Sequence, residues 1–253
     1  MTFEQKVPQE TNSVNQQVKI STPQVKPIIT YILIGITVLF FAAQFIIEYL
    51  TGYDWLFILG GKINELILAG QIWRLITPAL LHSSILHIGF NMYALYIMGR
   101  RLESTYGHAR FLLLYFLSAF GGNVLSFVLS DANSLGSSTA IFGLLAAEAV
   151  FIFQNRHLFG KRVKNMLINI FMILIINLMI GFSPNTNIDN FGHLGGLLGG
   201  FIFGSLGGPK WILEGIAPNI SLKDSRPKKE IFFGAIIVFV GFIGMAMIRF
   251  LNS

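Results

Sequence analysis

The sequence contains no cysteine, which excludes disulfides, thiolate catalysis and cysteine–metal sites. Charge is also scarce. Only 12% of residues are Asp, Glu, Lys or Arg, against the roughly 25% usual in soluble domains. With 53% hydrophobic residues and a mean hydropathy of +0.65, the chain reads as a membrane protein rather than as a large soluble core. Residues 1–27 lack the apolar core of a secretory signal. They are expected to form a flexible tail, with the first apolar run kept as a permanent span. Neither a soluble domain nor an internal repeat is evident.

A spanning helix needs about 20 mostly apolar residues. Such stretches lie at 28–50, 82–99, 111–130, 138–154, 165–182, 189–208 and 231–250. The expected class is therefore all-α and polytopic: a six-helix core over 28–208, a basic linker at 209–230, and a seventh span with a short tail at 231–253. The stretch 51–80 is too long for a tight turn and is expected to lie partly in the interface as short helices. Lys and Arg collect on the cytoplasmic side of membrane proteins. All of the 18 here except Lys62, Arg74 and Arg249 fall in the tail, the second-to-third and fourth-to-fifth loops, and the linker. The N-terminus is thus expected inside and the C-terminus outside. The same distribution explains the net charge of +6 without any nucleic acid.

In this topology the second, fourth and sixth spans all start at the outer face. Span two opens with His82, Ser83, Ser84, His87 and Asn91, the last two stacked on one helix face. Span four opens with Gly136, Ser137, Ser138 and Thr139, and span six with Asp189, Asn190 and His193. His87, Ser138 and His193 then share a depth of about 10 Å below the outer boundary. Polar groups within spans tend to face the bundle interior or a wet cavity, and three helices placing them at one level indicate a single cavity open to the outside. A lone serine in a span usually bonds back to its own helix, and a lone histidine serves as readily for interhelical bonding. The coincidence of depth is what favours chemistry. A serine hydroxyl needs a base within hydrogen-bond reach, so spans four and six must approach closely. Span six carries Gly195, Gly196, Gly199, Gly200 and Gly204 at the four-residue spacing that leaves a groove for another backbone. Ala140, Gly143, Ala146 and Ala147 of span four are candidate partners. Asp189 reads as the cap of span six rather than as a third catalytic group. Glu148 is expected to pair with Arg100 or Arg101.

Taken in order, Trp73-Arg74, His82 with His87 and Asn91, Glu103 with Gly107, Gly136-x-Ser138 and His193-x-Gly195-Gly196 resemble the rhomboid intramembrane serine proteases over residues 60–208. The resemblance implies that Ser138 is the nucleophile and His193 the general base of a dyad without aspartate. It implies that His87 and Asn91 stabilise the oxyanion, with backbone N–H groups near Ser137 and Ser138 and with His82 in support. Trp73 and Arg74 would shape the surface loop, Glu103 and Gly107 would be structural, and Phe142 would pack on the histidine. No metal or organic cofactor is implied. Substrates would be single-span or polytopic membrane proteins cut near the outer face, and the setting a bacterial plasma membrane. Two positions depart from the family pattern. Thr139 stands where Gly usually follows the nucleophile, which is expected to add bulk beside the oxyanion site. Gly192 stands where Ala is frequent.

Two other readings compete. A catalytically inactive rhomboid-like protein would bind spans without cutting them, and Thr139 is its support. A transporter would use the polar cavity, but the inner halves of the three spans offer no continuing polar path apart from Glu148, and the halves show none of the internal symmetry common in transporters. Small-residue faces serve packing within or between chains, which leaves the oligomeric state open.

Overall fold

A computed structural model describes residues 19–21, 25–183, 188–216 and 219–252 of the 253. A short strand β1 (Lys19–Ser21) lies within the segment expected to be a flexible tail. Helix α1 (Ile28–Thr51) follows and stops at Gly52, whose left-handed backbone (φ 77°) lets its N–H cap Glu48. The connection to the next long helix contains α2 (Trp55–Gly60), α3 (Asn64–Leu68) and two 3-10 turns over Ile72–Leu75 and Thr77–Leu80, so short helices do fill this stretch.

The remaining helices are α4 (Ile85–Tyr106), α5 (His108–Leu129), α6 (Ser138–Gln154), α7 (Arg156–Phe159), α8 (Val163–Gly181), α9 (Asn190–Gly207) and α10 (Lys228–Leu251). The seven expected spans correspond to α1, α4, α5, α6, α8, α9 and α10. One boundary differs visibly. Span two was expected over 82–99 with a loop before 111, but α4 runs on to Tyr106 and α5 begins at His108. Gly107 alone turns the chain, at φ 80°, a conformation open to glycine at no steric cost. Arg100, Arg101 and Arg110 therefore sit on helices rather than in a loop.

Burial sorts the helices. Within the most apolar 18-residue window, 67% of α5 is buried but only 6% of α8 and 22% of each of α1 and α10. Helices α5, α6 and α9 form the centre, and the others surround it. The outer helices present Leu50, Phe171, Ile176 and Met179 to the surroundings, as expected of a surface solvated by lipid. The chain is an integral membrane protein.

The segment after α9 adds a feature that an all-α reading omits. Strands β2 (Trp211–Ile216) and β3 (Asn219–Asp224) pair antiparallel, and β1 joins β3 in parallel, Lys19 opposite Asn219. The hairpin is tied to the end of the bundle where α6 and α9 finish. Buried Arg226 donates to the Gly208 carbonyl (2.8 Å) and the Gln154 amide oxygen (2.9 Å). Asn155 accepts from the Trp211 N–H (2.7 Å), and Arg110 pairs with Asp224 (2.6 Å).

Candidate active site

Helix α6 begins at Ser138, two residues after a glycine with positive φ (Gly136, φ 127°). Helix α9 begins at Asn190, with Asp189 as its N-cap accepting from the Gly192 N–H at 2.8 Å. Both helices start at the same end of the bundle, which puts Ser138 and His193 at one level. Ser138 Oγ and His193 Nε2 are 2.9 Å apart. The Phe142 ring, one turn on from Ser138, stacks on the imidazole at 4.0 Å between centroids and 10° between planes, which fixes the ring's orientation. The His193 Nδ1 is buried and makes no hydrogen bond among the described residues, so no carboxylate extends the pair into a triad.

Opposite the pair lie the polar groups of α4 and the segment before it. Buried Asn91 carries an Nδ2 without a hydrogen-bond partner, and His87, Asn91, Ser138 and His193 line one cavity of about 1250 Å³. His87 is set by a contact of Nδ1 with Ser83 Oγ at 3.1 Å, and the Ser84 hydroxyl caps the helix by accepting from the His87 N–H. A Cβ on Gly136 would come within 2.7 Å of His87 Nε2. Glycine is needed there both for its backbone angle and for the close approach of the imidazole. His82 is buried away from the cavity. Its Nε2 approaches Ser137 Oγ (3.3 Å), and its ring meets His87 edge-on at 4.9 Å.

The motif residues outside the cavity hold its frame. Arg74 is buried and donates to the carbonyls of Gly61 (2.7 Å) and Ile58 (2.6 Å), while the Trp73 indole donates to Leu59 (3.1 Å). Together they close the α1–α4 connection on itself. Glu103 accepts from the N–H groups of Ile29 (2.8 Å) and Thr30 (2.7 Å), supplying the N-terminal cap that Pro27 cannot give to α1. Sequence reasoning missed two further clamps. Gln44 of α1 accepts from the His82 N–H (3.0 Å). Lys62 donates to the carbonyls of Ser130 (2.9 Å) and Ala132 (2.8 Å), fixing the segment that leads into Ser138. Burial pulls the Lys62 pKa down to about 8, which leaves the ammonium mostly charged at neutral pH and its two hydrogen bonds charge-assisted. A lysine standing alone in an apolar connection was the available signal.

Helix α9 is wedged between two neighbours, not one. A Cβ on Gly196 would lie 2.0 Å from the Thr139 carbonyl oxygen, and one on Gly200 would lie 2.1 Å from that of Gly143, both on α6. On the other side, a Cβ on Gly195 would lie 2.4 Å from the Gly121 oxygen, and one on Gly199 3.2 Å from the Leu117 oxygen, both on α5. The expected partner α6 is present, and α5 is the addition.

Thr139 was expected to crowd the oxyanion site. The residue does line the cavity, but its methyl turns into the α5–α9 seam, where a Cβ on Gly122 would lie 2.5 Å from the Thr139 Cβ and one on Gly192 would lie 3.1 Å from its methyl. The two departures from the family pattern face each other, a larger residue at 139 and a smaller one at 192, and a Cβ at 192 would also meet the Asp189 carboxylate oxygen at 2.8 Å. Gly192→Ala is expected to destabilise the protein by about 1–3 kcal/mol, as overpacking does. Thr139→Ala should recover part of that loss. A double-mutant cycle read by denaturant unfolding should give a coupling of about 0.5–3 kcal/mol, and strict additivity would show that the methyl is not the constraint.

Comparison with known proteins agrees with the geometry. The Rhomboid domain matches residues 69–210. Rhomboid protease GluP of Bacillus subtilis (strain 168) is 43% identical over 186 residues, 73% of this chain and 36% of that protein. RHOMBOID-like protein 1 of Arabidopsis thaliana is 41% identical over 135 residues, 53% of this chain and 34% of that protein. Rhomboid-like protease 1 of Toxoplasma gondii is 39% identical over 150 residues, 58% of this chain and 51% of that protein. The chain thus spans about a third to a half of the length of these relatives. Since the domain match covers more than half of the sequence, the chain belongs to the rhomboid family.

Proposed function

We propose that this protein is an intramembrane serine endopeptidase that cuts transmembrane segments near the outer membrane face, with Ser138 as nucleophile and His193 as general base. The observation that carries the reading is the 2.9 Å contact between Ser138 Oγ and His193 Nε2 at the mouth of a cavity. Two family relatives whose names include protease add support, and the distribution of Lys and Arg supports a cytoplasmic N-terminus.

The chemistry follows from the placement. For Nε2 to accept the serine proton, the imidazole carries its own proton on Nδ1. Ser138 Oγ attacks the scissile carbonyl as its proton passes to Nε2. The tetrahedral oxyanion forms on the α4 side, within the part of the cavity lined by Asn91 and His87. The Asn91 amide has an unused donor there, held in place by burial and so costing little to reorganise. Protonated His193 then releases its proton to the leaving amine, and a water entering through the cavity hydrolyses the acyl-enzyme. A substrate helix must unwind locally first, because its carbonyls are otherwise hydrogen-bonded and hidden. No carboxylate among the described residues hydrogen-bonds the histidine, so the Ser138 contact, the Phe142 ring and burial maintain its orientation.

The test is covalent labelling by a serine-directed phosphonate probe together with cleavage of a panel of single-span substrates. Labelling of the wild type, abolished in Ser138→Ala, distinguishes an enzyme from a protein that binds spans without cutting them. Asn91→Ala is expected to lower kcat by about 10²–10³, the usual cost of one oxyanion donor, with little change in KM. Unchanged kinetics would remove Asn91 from this role.

A further inference from the structure

We propose that Glu148 is a subsite for a basic side chain of the substrate, so that the enzyme favours a lysine or arginine roughly six to ten residues after the cleaved bond. The inference rests on the protease reading above.

The cavity that opens at Ser138 and His193 does not end there. It continues between α4 and α8, with α6 as its floor, as far as Arg101, Glu148 and Met166. Glu148 lies on α6 about 15 Å beyond Ser138 at about 1.5 Å per residue. Its side chain is only 7% exposed, whereas that of its partner Arg101, reaching across from α4, is 64% exposed. The anion is thus fixed in the floor while its counter-ion lies on the open side, on a long and flexible stem. A span entering between α4 and α8 must pass over or displace that guanidinium. Displacement leaves a buried carboxylate unpaired, which is strongly unfavourable, unless the incoming helix brings a cation of its own. Between the two ends the lining is apolar or neutral, with Ile97, Leu145, Ile170 and Asn169 among its residues. Charge recognition at that depth therefore falls to Glu148.

The reach sets the spacing. A substrate helical from the scissile bond onward covers 15 Å in about ten residues. If its first three residues are extended at about 3.3 Å each, the same distance takes about six. Single-span proteins with a cytoplasmic C-terminus carry Lys and Arg at their inner boundary, and such a side chain can snorkel along the groove toward the carboxylate. A cation at this position would act on substrate binding, and so mainly on KM.

The experiment uses the full chain in liposomes and a series of single-span substrates. One lysine is moved from the third to the fourteenth residue after the cleaved bond, and each substrate is paired with its glutamine counterpart. The expected ratio of kcat/KM for lysine over glutamine peaks five- to tenfold inside the six-to-ten window. It falls to one in Glu148→Gln, is partly kept in Glu148→Asp, and rises in Arg101→Gln, where the competing cation is gone. A flat ratio along the series with the wild type, or a peak that persists in Glu148→Gln, would overturn the proposal while leaving the protease reading intact. Absence of cleavage of every substrate by the wild type, lysine and glutamine alike, would overturn both. If Glu148→Gln fails to fold, the wild-type series and Arg101→Gln decide the matter.

Discussion

Ser138→Ala is expected to abolish proteolysis while leaving a folded membrane protein. Among the described residues the hydroxyl makes one side-chain hydrogen bond, to His193, and its removal opens no cavity of consequence, so the thermal unfolding midpoint should move little. The rate should fall by on the order of 10⁶, the loss seen when the nucleophile is removed from a serine hydrolase. His193→Ala should give a similar loss of activity with a different stability signature. It deletes a buried ring stacked on Phe142 at 4.0 Å and leaves a void, so a destabilisation of a few kcal/mol is expected. Both variants should also lose labelling by the serine probe, the first for want of the oxygen and the second for want of the base that activates it. Cleavage of a model substrate by Ser138→Ala at the wild-type rate would remove the dyad from the mechanism altogether.

Much of this site was legible because its determinants are local or depend only on topology. Ser138 and His193 share a level because α6 and α9 run in the same direction from the same end, and the order of apolar runs suffices to infer that. The Asp189 cap is likewise a short-range pattern, an acidic residue ahead of a helix whose first N–H groups lack partners. Whatever depends on helix rotation was not legible. Thr139 is bulky wherever it points, but only the packed bundle shows that its methyl faces Gly192. The second partner of α9 was hidden for a related reason. Gly121 and Gly122 are followed by Asn123, but nothing in an otherwise apolar run says which helix packs on that pair, so α5 read as an ordinary span. The hairpin after α9 did leave a trace, in the alternation Ile220-Ser221-Leu222-Lys223. It was masked by the lysines, which read more readily as the basic flank of a span. The pairing of Glu148 was narrowed to Arg100 or Arg101, and side-chain geometry selects Arg101, while Arg100 lies over the Tyr96 ring at 4.7 Å.

The dependence of the dyad on backbone contact makes Gly196→Ala the second large effect expected. Its added Cβ would lie 2.0 Å from the Thr139 carbonyl oxygen and 2.8 Å from the carbonyl carbon. These are backbone atoms that cannot rotate away as a side chain could, so α9 must retreat from α6 by on the order of 1 Å to restore van der Waals distance. Gly196 lies one turn along α9 from His193, and Thr139 adjoins Ser138, so that retreat acts directly on the 2.9 Å contact. A misplacement of about 1 Å costs on the order of 10²-fold in rate. Gly196→Ala should therefore lose about that much in kcat, with serine-probe labelling slowed in parallel and stability lowered by about 1–3 kcal/mol. Gly244→Ala in α10 is the matching control, because a Cβ there meets nothing within 4 Å; it should leave cleavage unchanged and be neutral or slightly stabilising. The two variants add the same methyl group to different helices, and only the one on the α6 seam is expected to silence the serine. Full activity in Gly196→Ala would mean that the seam yields elsewhere and that the approach of α9 to α6 does not set the distance between hydroxyl and imidazole.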